Sequence, residues 1–293
     1  MSITFHMATP NFAFEARGVD IARPLSADDV AQLRRGWLDA GGVLFFRKQD
    51  ITPDQHVEFS RHFGTVYDQG PINNPALAGY YLDGYPQIFQ VTNKKLPDGR
   101  PAGREDAGTY WHSDASWQPD PPTGSLLYAR ELPATGGDTI FADMYHAYDS
   151  LSEPMKKMLE GLEAQHTLLT AALQTSYAKE FVGKLDQAQA KNAVHPVINI
   201  HPETGRKLLF VNPGFTSHII GLPRDESKAI LDYLFEHSTK PDNIYRHVWQ
   251  LGDLLMWDNR SVMHYAVPNY KAFGIRYMHR TTIKGIPSLA CVS

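Results

Sequence analysis

His112 and Asp114, in Trp111-His112-Ser113-Asp114, set an imidazole and a carboxylate two residues apart. In extended backbone such side chains leave on the same face, so both can enter one cavity. They supply two corners of a facial triad, and a second histidine would complete it while leaving open positions on a six-coordinate iron. His264 is the best third ligand. It follows Leu254-Leu-Met-Trp-Asp-Asn-Arg260, a buried strand running into a polar turn. Further on, Gly274-Ile-Arg-Tyr-Met-His-Arg280 alternates like a strand. Arg276 and Arg280 would then share a face, separated by about 13 Å at roughly 3.3 Å per residue. Two guanidinium groups turned to a cavity are costly unless anions meet them. Arginine binds carboxylate or sulfonate oxygens bidentately. The pattern predicts a metal with open sites and two anion-binding positions at different depths.

His56-Val-Glu58 has the same His-x-acid form. It falls in an expected helix, where residues two apart diverge by about 200°. It is therefore read as part of a solvated helix face. His62, His166, His195, His201, His237 and His247 have no such pairing and are read as surface or hydrogen-bonded core residues.

The elements that must position these groups are short. Ser26 to Asp29 opens a periodic run through Leu38, closed by Gly41-Gly42: a capped helix and its terminator. Val43-Leu-Phe-Phe46 reads as a buried strand. Thr52-Pro53-Asp54-Gln55 combines an N-cap, a Pro at the first helical position and a capping Gln, and opens a helix to about Phe63, ended by Gly64. Strands are expected at 87–91, 125–128, 139–141, 207–211, 253–257 and 275–283, and helices at 152–163, 168–190 and 224–238. Many short strands with Gly and Pro turns predict a sandwich or barrel with the helices packed outside. No dinucleotide or phosphate-loop fingerprint is present. Residues 65 to 109 are rich in Asn, Pro, Gly, Asp and Tyr, and read as a lid or pocket wall.

Taken together, these residues resemble the taurine dioxygenase-like (TauD/TfdA) family of Fe(II)- and 2-oxoglutarate-dependent oxygenases, from about Ile21 to Gly285. Beside the His-x-Asp pair and the distant His264, the likeness rests on Gly136-Gly-Asp-Thr139, Phe210-Val-Asn212 with Gly214-Phe215, Trp257-Asp-Asn-Arg260, His264-Tyr-Ala266 and Met278-His-Arg-Thr281. The resemblance implies a mainly β fold with flanking helices, a double-stranded β-helix (jelly-roll) core. It implies Fe(II) on His112, Asp114 and His264. Arg276 and Thr139 would hold the distal carboxylate of 2-oxoglutarate, which O2 converts to succinate and CO2 as the substrate is hydroxylated. Arg280 matches the position holding the substrate's anionic group; its alternative is a structural pair with Asp138, Asp143 or Asp258. Phe215, Ala115, Gly108 and Tyr81 match or adjoin the substrate wall. Tyr80, Tyr81 and Tyr85 line the pocket or simply pack the loop.

The chain departs from the taurine enzymes in three places. It has no histidine between His62 and His112, Gly108 stands where they carry an Asn, and Ala115 follows Asp114 where a larger Val is found. An anionic substrate is therefore expected, with sulfonates such as taurine, alkyl sulfate esters and aryloxy-carboxylates all open.

Composition excludes several other classes. Lys+Arg of 28 against Asp+Glu of 32 leaves a net charge of −4, with no basic surplus for nucleic acid. No apolar run is long enough for a membrane span, and no secretion signal is read at the N-terminus. One cysteine, Cys291, excludes an intrachain disulfide framework. The chain is expected to be a single cytoplasmic domain over 1–293 with insertions around 65–109 and 166–200, assembling as a homodimer or homotetramer like its relatives. The other readings are a non-catalytic jelly-roll binding protein and a zinc hydrolase on the same three ligands.

Overall fold

The computed structural model describes residues 2–69, 79–105, 107–172 and 192–285. An eight-stranded sheet forms the larger layer. Its order is Thr4–Met7, Phe14–Arg17, Val43–Phe46, Leu254–Asp258, Gly124–Glu131, Tyr277–Ile283, Tyr85–Thr92 and Tyr81–Leu82. Facing it is a three-stranded antiparallel sheet, Ile244–His247, Thr139–Asp143 and Val262–Ala266.

The side-chain period of two sorts the apolar residues of the large sheet. Val43, Phe45, Leu127, Leu255, Trp257 and Met278 turn inward onto Phe141, Tyr245 and Val262. The alternate residues Leu44, Phe46, Leu126, Tyr128, Leu254 and Met256 turn outward onto Leu33, Trp37 and Phe59. Those three come from the helices Ala27–Asp39 and Pro53–Arg61. Both faces of the sheet are thus covered here, which is why Val43–Phe46 and Leu254–Trp257 read as unbroken apolar runs. This is the expected jelly-roll core with outer helices.

The helix starts follow the sequence chemistry. The Ser26 and Asp29 side chains cap reciprocally, as do Thr52 and Gln55 with Pro53 behind them. The expected helix over 152–163 is shorter, Glu153–Leu159, and 224–238 is helical as predicted. The 207–211 strand ends at Leu209. Of the 168–190 pattern, Leu168–Ala172 is helical and 173–190 lies outside the described residues, as does Cys291. The last strand begins at Tyr277, and its register shifts between Tyr277 and Met278. Arg276 therefore precedes the strand, and simple alternation does not place it on the face of Arg280.

Buried imidazoles, three of them lowered most clearly, give the fold a pH dependence. Burial, aided by His279, lowers His56 to about 3; burial, aided by His195, lowers His166 to about 3. Burial, aided by Arg130, lowers His279 to about 4. Each contributes stability that is fully present above the ordinary imidazole value and is lost as pH falls toward the folded value. Asp143, raised by burial to about 6, runs the other way, one group against three. Near pH 5 the unfolded chain thus binds more protons. Stability should fall with decreasing pH by on the order of 2 kcal/mol per unit. Thermal melts from pH 7 to 5 should show a marked drop in Tm; a flat profile would contradict the buried neutral imidazoles.

Candidate metal centre

His112 and His264 are joined through the backbone. The His112 N–H donates to the His264 carbonyl at 3.1 Å, and the His264 N–H donates back at 2.8 Å. The regular strand expected over His112–Asp114 does not form. There is this isolated bridge, then a turn in which Ala115 has φ +51°. The bridge to the strand Val262–Ala266 does the positioning that alternation was expected to do.

The ring centroids of the two histidines lie 4.1 Å apart. His112 Nδ1 lies 2.8 Å from the Tyr110 carbonyl. A carbonyl only accepts, so Nδ1 carries the proton and Nε2 presents its lone pair. That Nε2 is 3.6 Å from Asp114 Oδ1, and His264 Nε2 is 3.9 Å from the same oxygen. Donor atoms of all three residues lie within 4.8 Å of one another.

Burial works to raise the Asp114 pKa. Arg280, His264 and His112 outweigh it and hold the carboxyl well below its usual range. Ser125 Oγ donates to Asp114 Oδ2 at 2.9 Å, leaving Oδ1 turned to the imidazoles. Asn259 Oδ1 accepts from the Trp257 indole at 2.8 Å and from the Asp114 N–H at 3.4 Å. The Trp257 ring then packs 4.7 Å from His264. Sequence reasoning missed Ser125, a single hydroxyl in an apolar strand whose partner only the fold reveals. Asn259 lies in the motif Trp257-Asp-Asn-Arg260, but nothing in the sequence assigns it this role.

Arg276 is buried and donates from Nε to the Gly137 carbonyl at 2.9 Å. Its guanidinium lies 5.9 Å from the ring centroids of both Trp249 and Tyr270. Burial lowers its pKa to about 10, and its Nη2 has no partner among the described residues. Thr139 is buried nearby, its Oγ1 accepting from Trp249 Nε1 at 3.0 Å. Arg280 points Nη1 at Asp114 Oδ1, 3.5 Å away, and lies 5.3 Å from the Phe89 ring centroid. Its Nε is unpartnered among the described residues. The alternative structural pairs for Arg280 are taken by others: Asp138 pairs with Arg246, Asp258 with Arg260 and His201, and Asp143 caps a helix.

Phe215 and Ala115 form a small apolar cluster with Trp117, packed with Tyr110. The Phe215 ring meets His112 edge-on at 5.9 Å. Tyr80 and Tyr81 pack on Phe89, the ring beneath Arg280. Tyr85 turns away to Asp54. His56 corrects the expectation of a solvated face: it is fully buried, with Nε2 3.3 Å from Thr281 Oγ1, because the helix lays that side on the sheet. His166, His195, His201, His237 and His247 are buried and hydrogen-bonded, as read.

Gly108 lies against the His112 ring. A Cβ there would sit 2.6 Å from His112 Cε1 and 3.2 Å from Nε2, at φ +75°. Gly108→Ala should displace the imidazole and weaken ferrous binding by roughly 10–100-fold, the usual cost of disturbing a ligand's support. Anaerobic Fe(II) titration checks it; unchanged affinity would mean that His112 is not a ligand.

The donor set is two imidazole nitrogens and a deprotonated carboxylate, with the Arg280 guanidinium beside the carboxylate. It fits a divalent cation with open positions that anions can share.

Comparison with known proteins agrees in extent. The family model described as "Taurine catabolism dioxygenase TauD, TfdA family" matches residues 5–282. An alpha-ketoglutarate-dependent 2,4-dichlorophenoxyacetate dioxygenase of Cupriavidus pinatubonensis is 36% identical over 276 residues, covering 90% of this chain and 92% of that protein. The (S)-phenoxypropionate/alpha-ketoglutarate-dioxygenase of Sphingobium herbicidovorans is 32% identical over 299 residues, covering 98% of each. The crystal structure of a taurine dioxygenase from Burkholderia xenovorans superposes with a TM-score of 0.79 at 31% identity, covering 98% of this chain and 90% of that one.

Proposed function

The chain belongs to the taurine catabolism dioxygenase TauD, TfdA family, and from that premise we propose that it hydroxylates an aryloxyalkanoate-type carboxylic acid held by Arg280. It is an Fe(II)- and 2-oxoglutarate-dependent dioxygenase of small anionic substrates. In this reading His112, Asp114 and His264 hold the iron. Bound there, ferrous iron lets O2 oxidise 2-oxoglutarate to succinate and CO2 while one oxygen atom is placed on the substrate.

The chain's own residues bind and orient. Ser125 keeps one Asp114 oxygen occupied, so the other faces the cation. Arg276 and Thr139 meet the distal carboxylate of 2-oxoglutarate, the guanidinium giving charge-assisted hydrogen bonds. Arg280 draws the substrate carboxylate to the side of Asp114, where its Nη1 already points. Phe215, Ala115 and Trp117 form an apolar wall beside His112 that excludes water from the reacting carbon.

The observation that carries the proposal is the convergence of His112, Asp114 and His264 with Arg280 3.5 Å from the shared carboxylate. The aromatic preference has separate support. Gly108 offers no side chain to an ammonium head, and rings line the Phe215 and Phe89 sides. Two relatives carry aryloxyalkanoate activities in their names. The reading treats 1–293 as one domain, acting in the cytoplasm as a homodimer or homotetramer. No described helix is long and apolar enough to cross a membrane.

The test is succinate release with Fe(II), O2 and 2-oxoglutarate across aryloxyalkanoates, alkyl sulfates and taurine. Aryloxyalkanoates should give the highest kcat/KM. Arg280→Ala should raise their KM by roughly 10–100-fold, the loss of one or two charge-assisted hydrogen bonds, while leaving the 2-oxoglutarate KM within a few-fold. A preference for taurine, or an unchanged KM, would overturn the substrate assignment. Activity with Zn(II) in place of Fe(II) would point to a hydrolase.

A further inference from the structure

Trp249 sits in the connection between the strands Ile244–His247 and Leu254–Asp258. Its neighbours contrast with it: Val248 is exposed, while the Trp249 ring is buried. The ring is held edge-on to His247 at 4.5 Å. His247 is itself fixed by Asp253 at 3.1 Å and by the Tyr245 hydroxyl at 2.8 Å. The indole therefore has a defined orientation.

Two contacts turn it toward the 2-oxoglutarate subsite. Its Nε1–H donates to Thr139 Oγ1 at 3.0 Å, and its face lies 5.9 Å from the Arg276 guanidinium. An indole N–H only donates, so Thr139 Oγ1 must accept. The threonine's own hydrogen is then directed elsewhere, and it meets no acceptor among the described residues. Beside it, Arg276 Nη2 also lacks a partner there. Two groups that touch the same indole thus each keep a donor without an acceptor among the described residues, and a carboxylate reaching both would supply the acceptors.

We infer that Trp249 is a positioning residue for the cosubstrate: its indole N–H holds the Thr139 hydroxyl as a donor toward the 2-oxoglutarate carboxylate. The inference rests on the assignment of Thr139 and Arg276 to that carboxylate. Without the indole, the hydroxyl rotates freely and part of its population turns its lone pairs to the anion.

The test is a double-mutant cycle on full-length protein, reading the Kd of 2-oxoglutarate by anaerobic titration with Mn(II) bound. Trp249→Phe keeps a ring over Arg276 and deletes only the donor. It should weaken binding about 3–10-fold, one ordinary hydrogen bond's worth. Thr139→Val should weaken it by a similar factor. In the Thr139→Val background, Trp249→Phe should then have almost no further effect. Equal losses in both backgrounds, or no loss in the parent, would overturn the inference. Arg276→Ala separates the two levels: if it leaves the Kd unchanged the subsite assignment itself fails, whereas a large loss with no Trp249–Thr139 coupling removes only the role of Trp249. Should Trp249→Phe not fold, Thr139→Ser decides. A hydroxyl that keeps the indole acceptor should restore binding to within 2-fold of the parent, and failure to do so would count against the inference.

Discussion

Replacing His264 with alanine is expected to remove ferrous binding and to cut succinate formation by at least about 10³-fold, the scale of losing a group that acts as part of a unit. The reason is geometric. His112 and Asp114 come from one short segment, and His264 lies beside them on the adjoining strand Val262–Ala266. Without it a cation keeps two donors, too few to hold it against water. The backbone bridge with His112 does not need the imidazole, so the segment should stay in place. A cavity beside Trp257 and Phe141 will lower stability by an amount typical of core truncation, roughly 2–4 kcal/mol. Anaerobic Fe(II) titration with a thermal melt on the same sample separates lost ligation from lost fold. Retained stoichiometric Fe(II) binding in a folded variant would contradict the ligand set.

Arg276→Met is expected to act in opposite directions on activity and on apoprotein stability. The guanidinium is buried, has one carbonyl partner for Nε, and among the described residues leaves Nη2 unpaired. A carboxylate arriving there forms charge-assisted hydrogen bonds in a dry site. Breaking such a pair costs about 3–5 kcal/mol, a rise of 10²-fold or more in the 2-oxoglutarate KM. In the apoprotein the same substitution removes a desolvated charge and fills its space with an apolar chain, so Tm should hold or rise. Arg276→Lys should recover only part of the affinity, because a point charge does not reproduce the planar fork. Steady-state kinetics varying 2-oxoglutarate and apoprotein melts check the two halves. A KM within 3-fold of the parent would remove Arg276 from the subsite.

The legible parts of this molecule were those in which one residue type has one dominant physical use. Ser26 and Thr52 announce helix starts because orphan amides need those acceptors, and Pro53 because it has no N–H to leave unpaired. Val43–Phe46 and Leu254–Asp258 announce buried strands because both sheet faces are covered. His112, Asp114, His264, Arg276 and Arg280 stood out because buried charge and imidazole demand company. What could not be read was conformation set by distant contacts. Asp114 reaches the site through a turn with Ala115 at positive φ, not through strand alternation. The register shift after Tyr277 gives no local signal. Ser125 and Trp249 look like ordinary core residues until their partners, Asp114 and Thr139, are placed beside them. His56 departs from the expected solvated face for the same reason. Only the packing of Pro53–Arg61 on the sheet decides that its imidazole is buried while Glu58 is exposed.

The most direct test of the metal assignment is an anaerobic crystal structure with Mn(II) and 2-oxoglutarate. The account predicts one ion bound by Nε2 of His112, Oδ1 of Asp114 and Nε2 of His264, with the distal carboxylate on Arg276 and Thr139. An ion held by any other residues, or a 2-oxoglutarate whose distal carboxylate lies on Arg280, would contradict it.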